Sequence, residues 1–126
     1  MRKIALYCLL GLLVSLISWP RPTMSVSMSI VTVTAYYPRV YCKNTPMGYT
    51  TSGVKVSEGM LAVSRDVEKT LNLAFGDRVM LHGMGVFEFQ DRMHPRMKNK
   101  VDVFMKSKQK AVRFGVKRYV VLVKMA

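Results

Sequence analysis

The side chains best suited to acid/base chemistry in this sequence are its few carboxylates: Glu58, Asp66, Glu68, Asp77, Glu88, Asp91 and Asp102. Four of them have ordinary structural work. Asp66 and Glu68 suit the first turn of a helix capped by Ser64, Asp77 follows the turn glycine Gly76, and Glu88 alternates outward along a strand pattern. Asp91 and Asp102 stand out. Asp91 closes the alternating run Val86 to Gln90 and enters Asp91-Arg92-Met93-His94-Pro95, which has no regular pattern. Asp102 interrupts an apolar strand between Val101 and Val103, where a charge is costly unless it is paired or faces a polar cleft. Two such carboxylates can meet in space, and repulsion plus partial burial would raise one pKa toward the range a general acid needs. The same residues also fit plainer roles, Asp91 as a turn-forming residue and Asp102 as an ion-pair partner of a nearby Lys or Arg.

Other chemistries are poorly served. His82 and His94 have no Cys, Asp or Glu at a recognisable metal-ligand spacing, so neither a zinc site nor another metal is expected, and no cofactor motif occurs. No nucleophile elbow, H-E-x-x-H or P-loop pattern is present. Cys8 lies in the N-terminal apolar run and leaves Cys42 alone in the rest of the chain, without an internal disulfide partner. Tyr36, Tyr37, Tyr41 and Tyr49 cluster around one loop and could stack on sugar rings or pack into the core.

The elements that must hold these residues are short. Alternation marks strands at Ile30 to Tyr37, Arg78 to His82, Gly85 to Gln90, Val101 to Met105 and Arg118 to Val123. Gly83 and Gly85 predict a tight hairpin, and Pro38 and Pro46 bracket a loop. Two helices of one to two turns are expected, one after Ser64 and one from Ser107 to Gly115. The pattern is all-β with one or two short helices, and closure into a barrel is how so small a sheet removes its edges.

Arg2 and Lys3 precede the apolar run Ile4 to Trp19, which Pro20, Arg21 and Pro22 end. Residues 1–29 therefore read as a signal peptide, with Ser25-Val26-Ser27 as a small-x-small site, or as an anchor attached to a membrane through residues 4–19. Residues 30–126 read as one domain, expected to be monomeric. Twenty Lys and Arg against seven Asp and Glu give a formal charge of +13. In an exported protein this field meets anionic lipid, surface polysaccharide and the carboxylates of cell-wall glycan, so the charge favours the periplasm or cell envelope over nucleic acid.

In order along the chain, Val33-Thr34-Ala35-Tyr36-Tyr37-Pro38, Thr50-Thr51-Ser52-Gly53, Gly59-Met60-Leu61-Ala62-Val63, Phe75-Gly76-Asp77-Arg78-Val79 and Gly83-Met84-Gly85 resemble the motifs of the 3D domain family. That family is related to the double-psi β-barrel of membrane-bound lytic transglycosylase A and rare lipoprotein A. Asp91, followed by Lys98-Asn99-Lys100-Val101-Asp102-Val103-Phe104, is the most telling match. The resemblance implies a six-stranded double-psi β-barrel acting on peptidoglycan glycan strands, with Asp91 as acid/base and Asp102 as its supporting aspartate. It also implies that Tyr36, Thr50, Thr51, Ser52, Gly53, Arg92 and His94 line the cleft, with no cofactor. In its catalytic relatives one carboxyl protonates the glycosidic oxygen and then takes the proton of the muramyl 6-hydroxyl, closing a 1,6-anhydro ring. The chain departs from the family at two places: Ser64 stands where the first aspartate follows A-V, and Arg92-Met93-His94 replace the glycines after Asp91. An arginine beside Asp91 is expected to lower its pKa. A non-catalytic glycan-binding domain on the same barrel is the competing reading, and binding of anionic lipid or nucleic acid by charge alone is a third.

Overall fold

The computed structural model describes residues 20–37 and 48–126. The apolar run before Pro20, with Cys8, and the loop carrying Pro38, Tyr41, Cys42 and Pro46 lie outside the described residues. Six strands and two helices follow in the order β1 (Met28–Tyr36), β2 (Met60–Val63), α1 (Arg65–Thr70), β3 (Arg78–Leu81), β4 (Gly85–Arg92), β5 (Lys100–Phe104), α2 (Lys108–Phe114) and β6 (Lys117–Lys124). The strands close into a mixed barrel in the order β1-β5-β2-β4-β3-β6. β1 with β5 and β2 with β4 are parallel, and the other four pairs are antiparallel. No described helix is long and apolar enough to cross a membrane.

Side-chain alternation fills the barrel. Val33, Val101 and Val63 are registered across β1, β5 and β2 and are fully buried. Phe89, Leu61, Val79, Leu81 and Leu122 complete the interior around them. Because strand side chains alternate faces, the residues adjacent to these three, Thr34 and Asp102 following and Ala62 preceding, belong to the outer face. The β3–β4 hairpin turns at Gly83 (φ 79°), a left-handed conformation that glycine adopts without steric cost.

Local chemistry explains the helix ends. Ser107 Oγ accepts the Lys110 N–H at 3.2 Å, a side-chain N-cap, and Gly115 ends α2. Ser64 also precedes a helix, but its hydroxyl does not cap α1. Buried completely, it accepts the Lys100 N–H at 3.1 Å, while its own N–H donates to the Lys100 carbonyl at 2.9 Å. The residue expected to start a helix instead fastens β5 to the β2–α1 junction.

Candidate functional site

One sheet row carries the two candidate carboxylates. Thr34 on β1 is registered with Asp102 on β5, Asp102 with Ala62 on β2, and Ala62 with Asp91 on β4. Ala62 presents only a methyl group between the two acids. Asp91 reaches this row through a β-bulge. Leu61 is registered with Phe89, yet the next residue, Ala62, is registered with Asp91, so Gln90 is the extra residue. Without the bulge Gln90 would sit beside Ala62 and Asp91 would turn toward the interior. Asp91 lies inside β4, not at the end of a strand, because pairing with β2 continues through Arg92 and Val63.

Four donors hold the Asp91 carboxylate. Oδ1 accepts the Thr51 N–H at 2.9 Å, the Thr51 hydroxyl at 2.5 Å and the Arg92 N–H at 2.9 Å. Oδ2 accepts the Tyr36 phenol at 3.3 Å. Tyr36 is placed by its cross-strand neighbour Phe104, whose ring it meets edge-on at 5.4 Å. Asp102 receives the Thr34 hydroxyl at 3.0 Å. No Lys or Arg pairs with Asp102 or Asp91 among the described residues.

Electrostatics separates these groups. Burial pushes the Asp102 carboxyl above the usual carboxylate range, the Thr34 hydrogen bond opposes this, and the charge of Asp91 adds to it. Burial, followed by the charges of Asp91 and Asp102, pushes the Tyr36 phenol far above the ordinary tyrosine range. Tyr36 therefore remains a donor throughout the physiological pH range.

The side chain of Arg92 pairs with a residue distant in sequence. Its guanidinium turns to Glu68, with Nε to Oε2 at 2.7 Å and Nη2 to Oε1 at 2.7 Å, and lies 4.5 Å from the centre of the Phe75 ring. Only its backbone N–H serves the site. The pair borders an open depression of about 640 Å³ lined by Arg65, Asp66, Glu68, Lys69, Asn72, Leu73, Arg92 and Lys98, which includes neither Asp91 nor Asp102.

The structure brings Asp91, Thr51 and Tyr36 together, with Asp102 across Ala62. Thr50, Ser52 and Gly53 shape the turn that presents Thr51. Thr50 Oγ1 lies 2.8 Å from Ser52 Oγ and donates to the Val54 carbonyl at 3.1 Å, Ser52 N–H donates to the Gln90 carbonyl at 3.2 Å, and Gly53 has φ 86°. His94 is exposed, and its Nδ1 accepts the Arg96 N–H at 3.2 Å. Thr34 and Ala62 were not singled out in the sequence, and Glu68 was read there only as a first-turn helix residue. Thr34 had a usable signal, since it lies two residues before Tyr36 and shares its strand face. No group of three or more His, Cys, Asp or Glu side chains able to hold a metal occurs among the described residues. No family model matches the chain, and no curated protein matches it.

Proposed function

We propose that this chain is a cell-envelope protein of the 3D, double-psi barrel type that cleaves peptidoglycan glycan strands as a lytic transglycosylase, with Asp91 as its acid/base. The observation that carries the reading is the pair Asp91 and Asp102 on one outer-face row, separated by the methyl of Ala62 and free of any described ion pair. The closed six-stranded mixed barrel is compatible with that family.

In this mechanism the protonated Asp91 carboxyl gives its proton to the glycosidic oxygen as the C1–O bond breaks. The resulting carboxylate takes the proton of the 6-hydroxyl as O6 bonds to C1, which restores the acid and leaves a 1,6-anhydro end. A single acid suffices because the internal hydroxyl replaces an activated water. Tyr36 and Thr51 orient the carboxyl, and Asp102 supplies a partly buried negative neighbour.

A second reading draws on the crowding of Asp91 Oδ1. Three donors on one oxygen make Asp91 a latch that fastens the Thr50–Gly53 turn to the barrel, on a domain that binds glycan without cutting it. The test is incubation of the protein and of Asp91→Asn with peptidoglycan, followed by mass spectrometry of released muropeptides. Asn keeps an oxygen for Thr51 and Arg92 but has no acid. Anhydro products from the native chain and none from Asp91→Asn are expected; no products from either, with both retained on glycan, would replace the enzymatic reading by the binding one.

A further inference from the structure

Of the two strands of the β1–β6 ribbon, β1 borders the carboxylate row through Thr34 and Tyr36, and β6 lies across the barrel from β2. In the closed order, β6 is three strands from β2 in either direction. An antiparallel pair with one solvated face ordinarily carries polar residues there. Here Met28 is registered with Val123 and Ile30 with Val121, all on the face opposite the buried Val31, Val120 and Leu122. Met28 is 58% and Ile30 63% exposed. The stripe continues into Tyr119, which is 84% exposed. A bulge throws it outward: Val31 pairs with Val120 and Val33 with Lys117, so Arg118 and Tyr119 oppose a single residue, and Tyr119 has φ 58°. A bulky residue at positive φ is strained, and such strain gathers at ligand-holding positions. Val112 on α2 and Val116 in the link to β6 are also largely exposed.

The surroundings of this stripe carry one sign of charge. Every charged side chain from Val103 to Ala126 is Lys or Arg. Arg113, Lys117 and Arg118 are exposed beside the apolar residues. We infer that this face docks on an anionic lipid bilayer, with Tyr119 and Ile30 entering the interfacial layer and the basic side chains meeting lipid headgroups. A second copy of the chain would bring two basic surfaces together, which like-charge repulsion opposes. Nucleic acid would use the cations but offers little to an Ile, Val and Met stripe. A bilayer surface takes both, because buried apolar area and headgroup attraction add. Chain length agrees: eight residues, 20–27, join the apolar run ending at Trp19 to the start of β1, a reach of about 28 Å at full extension. A run held in the bilayer would keep this end of the ribbon at its surface.

The test uses the full chain with its one tryptophan moved, as Trp19→Phe with Tyr119→Trp, and Ile30→Trp as a second probe on the same stripe. Each is reconstituted in vesicles of dibrominated phosphatidylcholine with and without phosphatidylglycerol. Bromine quenching of the tryptophan in the anionic vesicles alone, lost at high salt and in Arg113→Gln/Lys117→Gln/Arg118→Gln, is the expected result. Equal quenching in both vesicle types would assign the contact to the N-terminal apolar run, and no quenching in either would leave the face in water. Either result overturns the proposal, as would heparin shielding the probe where no bilayer quenches it.

Discussion

Asp91 and Asp102 are registered with the same residue, Ala62, from opposite sides of β2. A larger side chain at that position would fill the space between the carboxylates. Ala62→Leu is expected to abolish release of anhydro-muropeptides and to lower stability by about 1–3 kcal/mol through overpacking. Muropeptide analysis beside a denaturant melt checks both. Retained activity with the leucine in place would show that substrate does not use this gap.

Asp102 should make stability depend on pH in an unusual direction. Its carboxyl titrates above the ordinary value in the fold, so between the unfolded and folded pKa the native state holds more protons than the unfolded chain. This contribution is favourable below the unfolded pKa of about 3.9 and is lost as pH rises through the folded value. Asp102→Asn, which keeps an acceptor for Thr34, is expected to raise Tm by a few degrees at neutral pH and to bring no gain at acid pH. Thermal melts of both proteins across that range would reveal it.

Tyr36 is expected to stay neutral where exposed tyrosines ionise. The phenolate absorbance of the native protein and of Tyr36→Phe should therefore rise equally as pH passes about 10. A smaller rise in the Phe variant would mean that Tyr36 titrates normally and that its contact with Asp91 is loose.

The Arg92–Glu68 pair is partly exposed, at 35% and 15% of their side chains, which limits what it contributes. Glu68→Gln should cost about 1 kcal/mol, a cost that shrinks with added salt. Urea melts at low and high salt measure it.

Ser64 is a sharper case, because its hydroxyl is fully buried against the Lys100 N–H. Ser64→Ala would leave that donor unpaired and is expected to cost about 1–3 kcal/mol, with faster amide exchange at Lys100. An unchanged exchange rate would mean that another acceptor replaces the hydroxyl.

Much of this architecture is written in residue alternation. Thr32, Thr34 and Tyr36 between Val31, Val33 and Ala35 mark β1, because one face meets the core and the other does not, and Gly83 with Gly85 marks the β3–β4 hairpin. β2 escaped that signal. Leu61, Ala62 and Val63 are all buried, so no polar residue alternates with them, and only the family-like Gly59–Val63 motif pointed to the strand. Asp91 and Asp102 were legible as carboxylates without ordinary work. Their shared neighbour was not, since the bulge at Gln90 shifts the register by one residue and alternation cannot announce such a shift. The partner of Arg92 was hidden for a related reason: side chains of consecutive strand residues diverge, and this one pairs with Glu68, distant in sequence.

The pairing of β1 bears on the route by which the barrel forms. Among the described residues β1 pairs with β5 and β6, the two strands that follow all the others in sequence. A chain made from its N-terminus holds β1 without a partner until Lys100–Phe104 has been synthesised, and the ring closes only with Lys117–Lys124. Such distant pairings must absorb loop-closure entropy before they stabilise anything, so assembly is late and slow by the measure of contact order. Until then the barrel stays open, and a chain exported as proposed above would meet a translocation channel before its ring has closed.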